Sequence, residues 1–212
     1  AKSRMMKDES TVLMFDLGGV LVRIQDIEDT AAWALEIMSQ HDFEHLWTRS
    51  PRPAQLERGL LTPREFAILI CREYRLDIDV DTLLSHFNSI VMEPFPRTRE
   101  ILKLANAYGT TVCLSNTNSL HWEKVLRETD VLSHFDLLLP SFELGVVKPN
   151  PEIFRHALRR IPAEAEHVVF FDDRAENVEA ARKLGIRAHQ TFGPEDVLPY
   201  LESPPGDGSP LE

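Results

Sequence analysis

Three short apolar runs mark the sequence, and each stops abruptly at polar residues. They cover residues 11–15 (TVLMF), 110–114 (TTVCL) and 167–171 (HVVFF). Their length and their β-branched and aromatic residues predict strands that are buried within a sheet. Two weaker runs, at residues 135–139 and 186–190, predict further strands on either side of these three.

Helical patterns lie between these runs, and several have recognisable ends. Apolar residues recur at i, i+3, i+4 and i+7 from Ile101 to Tyr108, just before Gly109, a residue type that often ends a helix. Asn150 and Pro151 have the residue types of an N-cap and a first helical position. Strands that alternate with helices predict a parallel sheet covered by helices on both sides.

The stretch at residues 23–92 differs from the rest, because it contains helical patterns and no convincing strand. Its clearest helix begins at Thr62, with Pro63 at the first position and Glu65 closing a capping box. We therefore predict a helical insert between the first two strands of the core.

The predicted organisation is an α/β core made of residues 1–22 and 93–202, with the helical insert at residues 23–92. Hydrophobic residues make up 43% of the chain, which is enough to cover both faces of a parallel sheet. Residues 203–212 are rich in Pro, Gly and Ser and have no periodicity, so we predict a flexible tail.

The net charge of −11 argues against nucleic acid and anionic membranes as partners, because both would repel the chain. No apolar run approaches the length of a membrane span. Cys71 and Cys113 lie in apolar runs, where a small buried thiol is the usual explanation. These features predict a cytoplasmic protein with reduced cysteines.

Polar residues suited to chemistry follow the predicted strands. In an open parallel sheet, ligands bind beyond the carboxyl ends of the strands. The residues at these positions, together with a lysine just before the helix at Asn150, are Asp16, Ser115, Asn116, Lys148, Asp172 and Asp173. This combination suits one task, which is to hold a phosphate dianion beside Mg²⁺, because carboxylate oxygens favour that ion and the lysine offsets their charge.

Each of these residues also has an ordinary structural explanation when taken alone. The Asp-Leu-Gly-Gly segment at Asp16 suits a strand-ending turn, and the segment at Ser115 has the composition of a helix cap. Asp173 and Glu176 could form a capping pair, and an isolated lysine such as Lys148 is most often solvated. The functional interpretation is favoured because all of these residues coincide at strand ends.

The segments FDLGGVL, LSNTN, VVKPNPEIF and FFDDRAEN resemble, in this order, the four motifs of the haloacid dehalogenase-like hydrolase superfamily. The resemblance covers residues 11–22 and 94–200, and the insert lies where the C1-type cap of that superfamily lies. It implies a Rossmann-like core with a helical cap. Within the superfamily, the segments look closest to small sugar-phosphate phosphatases and to the phosphatase domain of bifunctional epoxide hydrolases.

The resemblance also implies a role for each matched residue, with a small phosphorylated metabolite as substrate and Mg²⁺ as cofactor. Asp16 would be the nucleophile that forms an aspartyl-phosphate. The phosphate ligands would be Ser115, Asn116 and Lys148. The metal ligands would be Asp16, the backbone carbonyl of Gly18, Asp172 and Asp173, with Asn177 supporting their loop.

Gly18 is a departure from the pattern, because most phosphatases of the superfamily carry a second Asp two residues after the nucleophile. That Asp protonates the leaving oxygen and then activates water, a contribution of about 10²- to 10⁴-fold. Related sugar phosphatases also have Gly here, and a leaving group of low pKa would need less help. Two alternatives follow: a 2-haloacid dehalogenase that uses Asp16 on carbon, and a catalytically silent binder of a phosphorylated ligand. The pair Asp172 and Asp173 favours the phosphatase, because adjacent carboxylates need a cation.

The insert should determine the substrate, but its sequence does not reveal which one. We expect its aromatic residues Phe43, Trp33 and Trp47 to form the core of the cap. Glu57 lies in a segment that resembles a cap segment of the sugar phosphatases, although a solvated helix end explains it nearly as well. We expect His121 to be a structural or surface residue, because it has no partner at metal-ligand spacing.

Overall fold

The computed structural model describes residues 10–202 and divides them into strands and helices. The strands are β1 Val12–Phe15, β2 Val22–Ile24, β3 Val91–Pro94, β4 Thr110–Ser115, β5 Leu137–Pro140, β6 Val168–Asp172 and β7 Arg187–Gln190. The α-helices are α1 Ile27–Ala34, α2 Gln40–Thr48, α3 Arg52–Glu57, α4 Pro63–Glu73, α5 Val80–Ser89, α6 Thr98–Tyr108, α7 Ser119–Glu128, α8 Ser141–Leu144, α9 Pro151–Leu158, α10 Ala175–Arg182 and α11 Leu198–Glu202.

Five of the strands form one parallel sheet, in the order β5-β4-β1-β6-β7. This confirms the predicted Rossmann-like α/β class, and all five predicted strands are present. Their starts differ from the prediction by up to two residues. For example, β6 begins one residue late because His167 belongs to a preceding 3-10 turn.

Hydrophobic clusters cover both faces of this sheet. In β1, Leu13 and Phe15 pack into one cluster, whereas Val12 and Met14 pack into the other. All four side chains are buried, which explains why the strand appears in the sequence as an unbroken apolar run. β1 is the central strand, so the residue that follows it lies in the middle of the sheet edge.

The insert contains α1 to α5, which pack around a cluster of their own that includes Leu56, Phe66 and Ile70. The predicted capping box at the start of α4 is present, since Thr62 and Glu65 each accept a hydrogen bond from the other's backbone N–H. One expectation was wrong, because this region does contain strand residues at its two ends.

The strands β2 and β3 pair antiparallel where the chain leaves and re-enters the core. The predicted boundaries after residues 22 and 92 fall inside these two strands. Each has only three or four residues and a mixed burial pattern, so hydrophobic periodicity could not reveal them. The predicted tail at 203–212 and the first nine residues of the predicted core lie outside the described residues.

The helices are short and have definite ends. Asn150 caps α9 as predicted, because its side chain accepts a hydrogen bond from the Glu152 N–H at 3.0 Å. α6 ends at Tyr108, directly before Gly109. Between residues 10 and 202, no helix combines the length and the apolar character that crossing a membrane requires.

Candidate active site

A cleft of about 350 Å³ lies between the carboxyl edge of the sheet and the helical insert. Asp16 follows β1, Ser115 ends β4 and Asp172 ends β6. Because these three strands are neighbours in the sheet, their ends meet at one place. Of the predicted site residues, Asp16, Gly18, Asn116, Lys148, Asp173 and Asn177 line this cleft.

Lys148 connects the ends of these strands. Its Nζ lies 2.9 Å from Asp16 Oδ1 and 2.6 Å from Asp172 Oδ2, and it donates to the carbonyl of Leu114 at 2.9 Å. Each of the three ammonium protons therefore has an acceptor. The side chain is buried, so the interpretation of Lys148 as an ordinary solvated lysine is wrong. Its predicted contact with phosphate stays a prediction, and it would require one of these bonds to be exchanged.

Asn116 holds the backbone of Lys148. Its Oδ1 accepts from the Lys148 N–H at 2.8 Å, and its Nδ2 donates to the Lys148 carbonyl at 2.9 Å. The amide group is thus used in positioning the lysine, which leaves the backbone as the part of Asn116 that could contact phosphate. Ser115 is buried beside it and does not cap the next helix, since the N-cap of α7 is Asn118.

Asp172 is fully buried, and hydrogen-bond donors surround it. Asn177 Nδ2 lies 2.9 Å from its Oδ1, the Arg174 N–H also donates to Oδ1, and Lys148 donates to Oδ2. Asn177 thus holds the Asp172 carboxylate in place, and its predicted role in supporting a metal site stays a prediction. The alternative of a helix cap formed by Asp173 is wrong, because α10 begins at Ala175 without a side-chain cap.

The electrostatics of the cleft favour a bound cation. Burial and the nearby carboxylates raise the pKa of Asp16 to about 7, against the opposing effect of Lys148. Burial also raises the pKa of Asp173, with a further contribution from Asp172. For Lys148, burial alone would lower the pKa, but the two carboxylates outweigh it and raise the value. One ammonium among three carboxylates leaves an excess of negative charge, which a divalent cation would offset.

The geometry of the carboxylates fits a hard metal ion. Oxygens of Asp16, Asp172 and Asp173 all lie within 4.8 Å of one another. An oxygen-only set of this kind suits Mg²⁺. Gly19 leaves room for the Asp173 carboxylate, because a Cβ at this position would lie 2.5 Å from Asp173 Oδ2, and the φ of +79° also favours glycine.

Gly18 lies against an apolar side chain. A Cβ at Gly18 would lie 3.0 Å from Cγ1 of Ile24. The space in which a longer side chain would stand is therefore occupied by Ile24. The predicted contribution of the Gly18 carbonyl to a metal site stays a prediction.

The insert and α7 contribute cleft residues to which the sequence analysis gave no role in the site. Trp47 lines the cleft and is 38% exposed, so the expectation that it belongs to the cap core was wrong, whereas Phe43 is buried as expected. Glu57 faces the cleft from the end of α3, and His121 faces it from α7. Only the resemblance of the segment around Glu57 to a cap segment pointed towards any of them.

Comparisons with known proteins agree with this architecture. D-ribitol-5-phosphate phosphatase of Bacteroides thetaiotaomicron is 28% identical over 197 residues, which cover 87% of this chain and 91% of that protein. Drimenol cyclase drtB of Aspergillus calidoustus is 29% identical over 83% of this chain, and bifunctional epoxide hydrolase 2 of Mus musculus is 27% identical over 74%. The matches cover only 33% and 31% of these two proteins, so the chain spans about a third of their length.

Solved structures show the same fold. A haloacid dehalogenase family enzyme of Bacteroides thetaiotaomicron in complex with magnesium has a TM-score of 0.79 at 28% identity, covering 91% of this chain and 98% of that one. A complex of the wild-type enzyme with magnesium and inorganic phosphate has a TM-score of 0.73 at 27% identity, covering 85% and 93%. The sequence model of the haloacid dehalogenase-like hydrolases matches residues 11–185. Because that match spans most of the chain, the protein belongs to the haloacid dehalogenase-like hydrolase family.

Proposed function

We propose that this protein is a Mg²⁺-dependent phosphatase that hydrolyses a small phosphomonoester through an aspartyl-phosphate on Asp16. The observation that carries the proposal is the contact of Asp16 with Lys148 at 2.9 Å, inside a cluster of three carboxylates. This arrangement holds a carboxylate nucleophile in place and provides oxygen ligands for a metal. Both features serve attack on a phosphate dianion.

The attacking atom would be Asp16 Oδ2. Within the described part of the chain, the hydrogen bonds of this carboxylate end on Oδ1, which accepts from the Leu17 N–H at 2.7 Å and from Lys148. Oδ2 is therefore the oxygen available to phosphorus. Asp16, Asp172 and Asp173 would hold the metal, which when bound offsets the repulsion between the anionic nucleophile and the phosphate.

The comparisons support a small phosphorylated substrate. The relative that aligns over 91% of its own length is named a D-ribitol-5-phosphate phosphatase, and a structural neighbour was solved with magnesium and inorganic phosphate. Sugar phosphates are therefore the first compounds to test. The carboxylate cluster also makes a phosphatase a better proposal than a dehalogenase. Displacement of halide from carbon requires no metal-binding carboxylates.

The test is a panel of phosphate esters and 2-haloacids, assayed with Mg²⁺ and with EDTA, on the wild-type protein and on Asp16→Asn. We expect phosphate release that depends on Mg²⁺ and that falls by roughly 10⁴-fold or more in Asp16→Asn, because the variant lacks the nucleophile. Asp77→Asn, an exposed residue outside the cleft, is the matched control and should keep wild-type turnover.

Three outcomes would overturn the proposal. Full Mg²⁺-dependent turnover by Asp16→Asn would remove Asp16 as the nucleophile. Release of halide in EDTA would indicate a dehalogenase. If inorganic phosphate stabilises the protein against unfolding but no ester releases phosphate, the protein is a silent binder.

A further inference from the structure

The structure raises the question of which group transfers the proton in this cleft. Most phosphatases of the family carry the proton-transferring Asp two residues after the nucleophile. In this chain Gly18 stands there, and Ile24 occupies the space around it. The ionisable residues that line the cleft are Asp16, Glu57, His121, Lys148, Asp173 and Arg174. Within the described residues, a side chain that donates the proton to the leaving oxygen would come from this set.

Four of the six residues are committed to other roles or cannot donate. Asp16 is the proposed nucleophile, and Asp173 is a proposed metal ligand. Lys148 uses its three protons on Asp16, Asp172 and the carbonyl of Leu114. Arg174 is a permanent cation whose guanidinium pairs with Glu176 at 2.7 Å, so it can bind an anion but cannot deliver a proton.

His121 is also excluded by its hydrogen bonds. Its Nε2 lies 2.9 Å from the Phe87 carbonyl, which can only accept, so this nitrogen carries the proton and donates it there. Its Nδ1 then accepts from the Asn118 amide at 3.1 Å. Burial lowers the pKa of His121 to about 4, so at neutral pH the ring is uncharged and has no free proton to give.

Glu57 is the remaining group, and the backbone around it is fixed to the core. Its carbonyl accepts from Ser141 Oγ at 2.7 Å, and the neighbouring Arg58 donates from Nε to the Gly145 carbonyl at 3.0 Å. Gly59 allows this approach, because it has a φ of +68° and a Cβ there would lie 2.2 Å from the Phe142 carbonyl oxygen. The end of α3 is thereby held against α8, with Glu57 beside the cleft.

The carboxyl group of Glu57 is available for proton transfer. Among residues 10–202, no group donates a hydrogen bond to it, and it faces the same cleft as Lys148 and Arg174. Burial raises its pKa, against the opposing charges of Arg174 and Lys148. A carboxyl group in such a place can be protonated before the reaction and ionised after it.

We propose that Glu57, presented by the cap, is the general acid and base that replaces the missing Asp at Gly18; this rests on the proposed phosphatase function. As Asp16 Oδ2 bonds to phosphorus and the bond from phosphorus to the leaving oxygen breaks, that oxygen takes the proton of Glu57 and departs as an alcohol. Water then attacks the aspartyl-phosphate and gives a proton to the Glu57 carboxylate. The bond between phosphorus and Asp16 breaks, phosphate leaves and Glu57 is protonated again.

The test compares Glu57→Gln with the wild-type protein on a series of phosphate monoesters whose leaving groups range from nitrophenols to alkyl alcohols. An alkoxide needs a proton as it leaves, whereas a nitrophenolate does not. We expect kcat/KM of Glu57→Gln to fall by about 10²- to 10⁴-fold on alkyl phosphates and by less than about threefold on nitrophenyl phosphates. A plot of log kcat/KM against leaving-group pKa should therefore become steeper.

A second readout follows from the water step, which also loses its base. With a nitrophenyl phosphate, Glu57→Gln should release one equivalent of nitrophenol in a burst and then turn over slowly. The matched control is Glu36→Gln, an exposed glutamate of the insert that lies outside the cleft, and it should behave as wild type on every ester. Circular dichroism and the Tm of Glu57→Gln should match the wild type.

The two proposals fail in different ways. Suppose that the wild-type protein hydrolyses the series. If kcat/KM of Glu57→Gln then falls by the same factor on every ester, or does not fall at all, the role of Glu57 is overturned and the phosphatase stands. If the wild-type protein hydrolyses no ester in the series, both proposals fall.

Discussion

The edge of the sheet and the helical insert form two sides of the same cleft, but they are built differently. On the core side, Asp16, Lys148 and Asp172 are buried and joined by bonds of 2.6 to 2.9 Å. On the insert side, the wall contains Trp47 and Phe87, and behind it lies an apolar cavity of about 110 Å³ within the cap. The core side is a satisfied polar network, whereas the insert side is mainly an apolar surface.

The contacts between these two regions are also different from those within the core. Polar contacts across the boundary include Ser141 with the Glu57 carbonyl, His121 with the Phe87 carbonyl, and Lys124 Nζ with the Asn88 carbonyl at 3.1 Å. The strands β2 and β3 connect the two regions covalently. This difference indicates that the core holds the carboxylates and the lysine rigidly, and that the insert supplies the facing wall of the cleft together with Glu57.

The largest expected effect comes from breaking the core network at Lys148. Lys148→Ala leaves the buried carboxylates of Asp16 and Asp172 without their cation, which typically costs about 3–5 kcal/mol. We expect the free energy of unfolding of the metal-free protein, measured in urea at pH 8, to fall by that amount. Lys103→Ala, at an exposed lysine of α6, should change it by less than about 0.5 kcal/mol. Equal stability of the two variants would show that the network is not the rigid part of the site.

An intermediate effect on the free energy of unfolding is expected from His121, whose imidazole joins α7 of the core to the Phe87 carbonyl of the insert. The pKa of His121 is about 4 in the folded protein against an ordinary value of 6.5, so the unfolded chain takes up the proton first. The contribution of the neutral His121 ring to the free energy of unfolding is therefore complete above pH 6.5, and it is lost as the pH falls towards 4. By pH 5 this loss is about 2 kcal/mol.

The measurement is the urea unfolding free energy of wild type and His121→Gln at several pH values between 7.5 and 4.5. The wild type should lose more stability on acidification than His121→Gln does. His41→Gln, at an exposed histidine of α2, should retain the wild-type slope. Parallel curves for wild type and His121→Gln would mean that this contact does not hold the imidazole in its neutral form.

The smallest effect is expected on the insert side of the cleft. Trp47→Ala removes an aromatic side chain from the insert wall of the cleft. Under the proposed function we expect this wall to contact the substrate away from the reacting atoms. We expect KM to rise by about 3- to 10-fold, with kcat within about twofold, for the ester that the wild type hydrolyses fastest. Leu35→Ala, an exposed apolar position of the insert away from the cleft, should leave both constants unchanged. A fall in kcat without a change in KM would instead place Trp47 in the chemical step.

Much of the fold was predictable because its signals are local. A strand buried on both faces must be apolar throughout, so β1, β4 and β6 appear as continuous runs, and the signals at Thr62 and Asn150 lie within a few residues of the helix ends they mark. The edges of the insert were not predictable. β2 and β3 are too short for periodicity, and they exist because two distant segments pair.

The candidate site divides in the same way. The sequence by itself determined that Asp16, Ser115 and Asp172 lie at the ends of strands, since polar residues directly after buried strands must lie at the edge of the sheet. The order of the sheet then showed that these three strands are neighbours. Only the tertiary structure decided that all three protons of Lys148 are used, that Ile24 covers Gly18, and that Glu57 of the insert lines the same cleft as Asp16. These are contacts between residues far apart in the chain, and the packing of one element against another, which no local pattern encodes, brings them together.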